Sequence, residues 1–419
     1  MDKIVIEGHV VLRGEIAISG AKNAALPIMA ASILTETGCE LENIPRLFDI
    51  STMKKVLESF NVAVSFEENL LKIDNSRIEP GVAPYDLVRT MRASICVMGP
   101  LLARFGKVKV SLPGGCAIGT RPINLHLKGL EAMGATVKLG GGYIEAKASK
   151  LTGNKIYLDF PSVGATENLM MAACLAEGET LIENAALEPE ITDLADFLNQ
   201  AGARIQGAGT NVIHVHGVSR LTSHKQYRII PDRIEAGTYM VAAAITGGDL
   251  LLKGVIPEHL EAHISNLEGA GVEFTIQNDS LRVSLPDGRQ PLNLSTRPYP
   301  GFPTDLQAQM MALACVTKGT SQITETIFEN RFMHVAELKR LGADIKINDA
   351  TATINGVDYL SGAPVMATDL RASAALILAG LVARGRTEVR RVYHLDRGYE
   401  KIEQKLAAVG ARICRKKED

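Results

Sequence analysis

The sequence predicts an α/β protein of two domains, each built from three copies of one repeated unit. Three observations predict it. A mostly apolar segment that closes on glycine recurs six times, at 24–38, 91–106, 165–178, 236–248, 306–319 and 370–385, with closing glycines 66 to 72 residues apart. An amphipathic helix follows each, and five of these end in near-identical turns at Gly134, Gly202, Gly271, Gly342 and Gly410, 68 to 71 residues apart. After Gly410 there is room for only one strand before a charged tail at 415–419, and the missing strands stand at the other end of the chain, in 3–18. A fixed period of this kind means one supersecondary unit used repeatedly.

Each element follows from its local pattern. Segments that are apolar all round read as buried helices. A glycine suits their end because the chain leaves the helix at positive φ. Strands follow at 40–44, 107–112, 180–184, 250–253, 322–326 and 387–391. In the third copy a further run, Asn211 to His216, is rich in β-branched residues and bounded by Gly217. The first copy has Asn61 in place of the turn glycine, and Asn tolerates the left-handed region. One unit is therefore helix, strand, loop, helix, strand, strand, about 69 residues long. With the hairpin in 3–18 completing the sixth copy, the expected domains are 22–229 and 1–21 plus 230–419. The active site is expected in the cleft between them, where two chain crossings make a hinge. An open solenoid would use repeats of roughly 20–45 residues, so closed domains fit better.

Composition narrows the function. A chain of 419 residues, 46% of them apolar, has material for more than one core. Lys and Arg total 45 against 47 Asp and Glu, a formal charge of −2, so nothing advertises a nucleic-acid partner. Charges interrupt residues 1–7 too early for the apolar region of a signal peptide. The longest apolar run, 372–383, is well short of the roughly 20 residues that span a bilayer. A cytoplasmic protein without membrane partners is expected. The six cysteines lie too far apart for a zinc or redox motif. His259 and His263 lack the metalloprotease order and read as an exposed helix face. No metal and no cofactor are implied, and oligomeric state has no signal.

The copies differ where function is expected. The apolar helices open on Lys22 with Asn23, on Arg92, on Asp232 with Arg233 and Glu235, on Asp305, and on Asp369 with Arg371; the remaining copy offers 162–166. Helix N-termini attract anions, and an adjacent cation strengthens them. An Asp there is ordinarily only a cap, a reading that Asp232, Asp305 and Asp369 all carry. The loop 112–122 holds three glycines, two prolines and Cys116, the composition of a lid. Cys116 stands among glycine and polar positions near Arg121, which suits an acid or nucleophile and equally an incidental thiol. Cys96, Cys174 and Cys315 lie in the apolar segments and read as small core residues. The matching loops of copies five and six carry Arg331, and His394 with Arg397.

At these residues the sequence closely resembles the enolpyruvyl transferase family, in its UDP-N-acetylglucosamine branch. The matching stretches are 19–25, 91–94, Pro113-Gly114-Gly115-Cys116, 121–126, 162–166, 302–305, 329–334, 367–373 and 394–399. Together they are specific, whereas each alone is weak. The resemblance implies two inside-out α/β domains of three-fold pseudo-symmetry, the EPSP synthase-like fold. It implies transfer of enolpyruvyl from phosphoenolpyruvate to the 3′-hydroxyl of UDP-N-acetylglucosamine, with release of phosphate. That reaction opens peptidoglycan synthesis, and so bears on cell wall, shape and division. Cys116 matches the family's proton donor, which can hold phosphoenolpyruvate covalently and is alkylated by fosfomycin. Asp305 matches the proposed base, a role that burial would assist by raising its pKa. Lys22, Arg121 and Arg397 match the residues that hold phosphoenolpyruvate, with Arg331, Asp369 and Arg371 beside them. Nucleotide-sugar binding carries over to Asn23, Arg92, Arg121, Pro122, Ile123, Asn124, Leu125, Pro161, Ser162, Val163, Gly164, Asp305 and Ile327. Asn124 replaces an Asp of many relatives, and no tryptophan occurs. The shikimate branch lacks the Cys116 loop and the Arg121-Pro122 segment. A catalytically silent paralogue would have no reason to keep Lys22, Cys116, Asp305 and Arg397 together.

Overall fold

The computed structural model describes residues 2–88, 91–112, 123–222 and 226–418. Their contacts fall into two compact units, one drawn from 20–112 and 123–230, the other from 2–19 and 231–418. Each has its own apolar core.

The apolar segments form the innermost helices. Lys22–Ala31, Met98–Phe105 and Val163–Ala173 belong to one unit, and Arg233–Thr246, Gln307–Cys315 and Leu370–Val382 to the other. In the second unit each inner helix packs against the other two. The contact faces are rich in alanine, as at Ala372, Ala374, Ala375 and Ala379, which lets the backbones approach. Larger side chains such as Leu376 and Ile377 are wholly buried, each contributing about 1.5–3 kcal/mol by leaving water. The amphipathic helices and the sheets lie outside this centre. The five turn glycines have φ between 91° and 103°, and Asn61 stands at 62°.

Among the described residues, six four-stranded sheets surround the helices, one per copy. In the third copy Glu179–Glu183 pairs antiparallel with Val212–His216, which pairs with Arg204–Gln206. On its other side it pairs parallel with Lys155–Tyr157, a short strand from the end of the copy before. This borrowed strand occurs in every sheet, and the unit read from the sequence omits it. At two to five residues it is too short for alternation to reveal.

The borrowing closes each unit into a ring. In the first, Val82–Ala83 joins Lys107–Ser111, Lys155–Tyr157 joins Glu179–Glu183, and Tyr227–Arg228 returns to Gly38–Glu42. In the second, Asn293–Ser295 joins Thr320–Thr324, Pro364–Met366 joins Arg386–Arg390, and Arg13–Ala17 returns to Asp249–Lys253.

Three expectations need correction. The N-terminal hairpin does not stay in one sheet. Asp2–Glu7 lies between Arg386–Arg390 and Arg412–Lys417, antiparallel to both, and completes the sixth copy. Arg13–Ala17 leaves for the fourth copy, which needs a borrowed strand that Tyr227–Arg228 cannot supply because it serves the first. Residues 415–417 are not a charged tail but the end of a strand, where Arg415 holds Asp396 at 2.6 and 3.0 Å and Glu403 at 3.1 Å. His263 is buried rather than exposed; its Nε2 lies 3.1 Å from the Gly237 carbonyl and its ring 5.5 Å from that of Phe302. Among the described residues no helix is long and apolar enough to cross a membrane.

Candidate active site

The three acidic helix starts of the unit containing 231–418 are not equivalent. Asp232 caps Arg233–Thr246, accepting from the backbone of Ile234 at 2.8 Å and Glu235 at 3.0 Å. Asp369 caps Leu370–Val382, accepting from the backbone of Arg371 at 2.9 Å and Ala372 at 3.0 Å. Asp305 is not at an N-cap position, which Pro303 and Leu306 take. It sits in the turn Thr304–Leu306, and its Oδ1 accepts from Arg331 Nη2 at 2.8 Å while its Oδ2 accepts from Arg371 Nη2 at 3.1 Å.

Both arginine side chains are 5% exposed, and the Asp305 side chain 26%. Burial is the largest influence on Arg371 and would weaken its charge, but Asp305, Tyr399 and Asp232 together outweigh it and push the arginine above its ordinary value. Two charge-assisted bonds fix this carboxylate and stabilise its ionised form. The buried Nη1 of Arg331 and of Arg371 have no hydrogen-bond partner among the described residues, so each can donate to a further anion. His394 and Arg397 belong to the turn Val392–Arg397. Burial first, then Arg397, pushes His394 down. Burial takes the nearby His334 to about 4, against the opposing pull of Asp369. The partly buried Ile327 follows the strand Thr320–Thr324, and its N–H donates to Glu325 at 2.8 Å.

In the other unit Lys22 is the first residue of its inner helix. It is buried, with Nζ 3.3 Å from Oδ2 of the buried Asp49. Asn23 beside it is partly buried. Arg92 opens the turn Arg92–Val97. Ile123 precedes the helix Asn124–Ala132, on which Asn124 is exposed and Leu125 buried. Pro161 and Ser162 lead into Val163–Ala173, where Ser162 Oγ accepts from the backbone of Ala165 at 3.4 Å, with Val163 and Gly164 in the first turn.

The structure joins several of these through His126, which the sequence marks only as the end of a matching stretch. Its Nδ1 lies 3.0 Å from Asn168 Nδ2. Asn168 Oδ1 accepts from the Gly99 N–H at 2.7 Å, which orients the amide. His126 Nδ1 is thus the acceptor, and Nε2 carries the proton. A methyl group added at Gly164 would lie 3.6 Å from Nε2, so this ring edge faces the helix start. Burial first, and then Arg92, push His126 down to about 4, leaving it neutral at pH 7. A neutral donor, an arginine and a helix N-terminus gathered in this way suit a diphosphate. The signal available in the sequence was a histidine on the buried face of a helix that begins at a substrate-matching segment.

Cys116, Arg121 and Pro122 lie outside the described residues. Cys39, Cys174 and Cys315 are buried and pushed up to about 12 by desolvation, and Cys96 also rises well above its ordinary value, so these four are inert. Among the described residues no group of histidine, cysteine or carboxylate side chains could hold a metal ion.

Comparison with known proteins places the whole chain. The family model described as EPSP synthase (3-phosphoshikimate 1-carboxyvinyltransferase) matches residues 6–406. A relative from Geobacter metallireducens, named UDP-N-acetylglucosamine 1-carboxyvinyltransferase, is 59% identical over 418 residues and all of both chains. One from Caldanaerobacter subterraneus, named UDP-N-acetylglucosamine 1-carboxyvinyltransferase 1, is 56% identical over 99% of each chain. The crystal structure of the enolpyruvyl transferase NikO from Streptomyces tendae matches at a TM-score of 0.90 and 25% identity, covering 100% of this chain and 99% of that one. EPSP synthase from Acinetobacter baumannii, at a TM-score of 0.79 and 17% identity over all of both chains, shares the fold. With most of its length matched by the family model and its whole length by relatives above half identity, the chain belongs to the EPSP synthase family of enolpyruvyl transferases.

Proposed function

We propose that this enzyme transfers the enolpyruvyl group of phosphoenolpyruvate to the 3′-hydroxyl of UDP-N-acetylglucosamine, releasing phosphate, as the first committed step of peptidoglycan synthesis. It works in the cytoplasm. The observation that carries the reading is full-length identity of 56–59% to relatives named for that transfer, set against 17% to EPSP synthase.

The chemistry needs a base, a proton donor and cations. Asp305, held by Arg331 and Arg371, takes the proton of the sugar hydroxyl as its oxygen bonds to C2 of phosphoenolpyruvate. Cys116 supplies the proton that C3 gains. The tetrahedral intermediate then loses a proton from C3, and phosphate departs with its bonding electron pair. Lys22, Arg121 and Arg397 hold the phosphate and carboxylate of the donor. Asn23, Arg92, residues 121–125 and 161–164, and Ile327 hold the nucleotide sugar, with the diphosphate at the Val163–Ala173 helix start. Asp369 keeps Arg371 in place by capping its helix.

Phosphate release from phosphoenolpyruvate, measured with UDP-N-acetylglucosamine and with shikimate 3-phosphate as separate acceptors, tests this. Release is expected only with the nucleotide sugar. Release with the shikimate ester would reverse the assignment, and nucleotide binding without any release would mark a silent paralogue.

A further inference from the structure

The position directly after the central strand of each sheet is left-handed in four of the six copies, the second having Leu112 there. Asn43, Asn184, Gly254 and Arg391 occupy it with φ between 55° and 69°. The two asparagines donate from Nδ2 to nearby carbonyls, Asn43 to Ile229 at 3.0 Å and Asn184 to Leu158 at 2.7 Å. A neutral side chain and a left-handed backbone therefore suffice to start this loop.

The fifth copy has Glu325 instead, 4% exposed and outside the left-handed region. Its Oε1 accepts from Thr296 Oγ1 at 2.9 Å, Ile327 N at 2.8 Å and Phe328 N at 3.2 Å. Its Oε2 accepts from Thr304 Oγ1 at 2.8 Å. All four donors are neutral, and a carboxylate buried on neutral donors carries a desolvation cost that an asparagine avoids. The donors are also not random. Thr304 is the residue before Asp305, and Ile327 is assigned to the sugar, with Phe328 next to it.

We propose that Glu325 is a positioning residue for the acceptor sugar. One planar carboxylate ties Thr304, and with it Asp305, to the backbone of Ile327 and its neighbour Phe328, so the base and the sugar-contacting Ile327 keep a fixed separation. This rests on the roles given to Asp305 and Ile327 above. It makes Glu325 specific to one substrate, because the phosphoenolpyruvate cations Lys22 and Arg397 are not among its hydrogen-bond partners.

The test is steady-state kinetics of phosphate release in the full-length protein, varying each substrate separately. In Glu325→Ala, KM for UDP-N-acetylglucosamine is expected to rise on the order of 10- to 100-fold, the scale of lost bonds to a charged acceptor. KM for phosphoenolpyruvate should move less than about threefold, since its contacts are untouched. Glu325→Gln keeps an oxygen for the three donors at Oε1 and should restore both constants to within about fivefold. Thr304→Val cuts only the Oε2 link and should raise the sugar KM about three- to tenfold. If Glu325→Ala does not fold, Thr304→Val decides by the same comparison. Two KM values that stay flat, or that rise together, would overturn the proposal, as would a fall in kcat alone from a smaller folded fraction. A wild-type enzyme that released no phosphate with UDP-N-acetylglucosamine would instead overturn the functional reading, and this proposal with it.

Discussion

Asp305 and Asp369 begin two copies of the same helix yet meet different surroundings. Asp369 faces the N–H groups of its own first turn, whereas Asp305 faces two buried arginines. A cap substituted by asparagine keeps most of its function, because an amide oxygen also accepts. A general base does not. Asp305→Asn is therefore expected to lower kcat about 10²- to 10⁴-fold while the Kd for UDP-N-acetylglucosamine changes far less. Stopped-flow phosphate release and calorimetric binding measure the two; a kcat within tenfold of wild type would put the base elsewhere. Protonation adds a second consequence. Burial takes His126, His263 and His334 to about 4. The unfolded chain binds their protons near pH 6.5, so it holds more protons between about pH 6.5 and 4, and stability drains as pH falls through that window. Asp193, pushed up to about 6 by burial, acts with the opposite sign. A single-site comparison separates them. The stability difference between wild type and His263→Gln should change by up to about 1.4 kcal/mol per pH unit across the window. Urea unfolding at pH 7 and pH 5 reads it, and an equal difference at both would show that folded His263 takes a proton.

The turns after the amphipathic helices show what one backbone angle requires. Gly342 has φ of 95°, and a methyl group added there would meet nothing within 4 Å. Gly342→Ala thus isolates the conformational cost, expected at about 1–2 kcal/mol of lost stability by chemical denaturation. A loss well below this would mean that the turn relaxes. Asn61 makes the same turn at 62°, where an asparagine is tolerated. Strands behave differently. Glu179–Glu183 alternates buried and less buried positions and could be read directly. Val82–Ala83 has two residues and no pattern, and only its partner Lys107–Ser111 makes it a strand.

Each unit is a ring of three sheets, and the two rings close by different means. Tyr227–Arg228 closes one from within its own segment. The other depends on Asp2–Glu7 and Arg13–Ala17, which are over two hundred residues from their partners in sequence. A fragment of residues 20–230 is accordingly expected to unfold cooperatively, whereas 231–419 alone should not, lacking the middle strand of one sheet and the edge of another. Circular dichroism and amide exchange of the two fragments measure this. Restored cooperativity of 231–419 on adding a peptide of residues 1–19 would support the ring, and a cooperative 231–419 without it would refute it.

The six-fold repeat, the inner helices and the α/β class were legible in the chain because burial on all sides, closing glycines and strand alternation are local patterns that recur at a fixed period. The matching stretches also marked Lys22, Asp305, Arg331, Arg371 and Arg397 without any structure. What the chain could not reveal was which acidic helix start is a cap and which is a clamped carboxylate. That choice is made by Arg331 and Arg371, 26 and 66 residues beyond Asp305. The destination of Arg13–Ala17, the tautomer of His126 and the four bonds to Glu325 were likewise settled only by folding. Hydrogen bonds and charges act over a few ångströms in space, and no periodicity along the sequence encodes which distant groups will come that close.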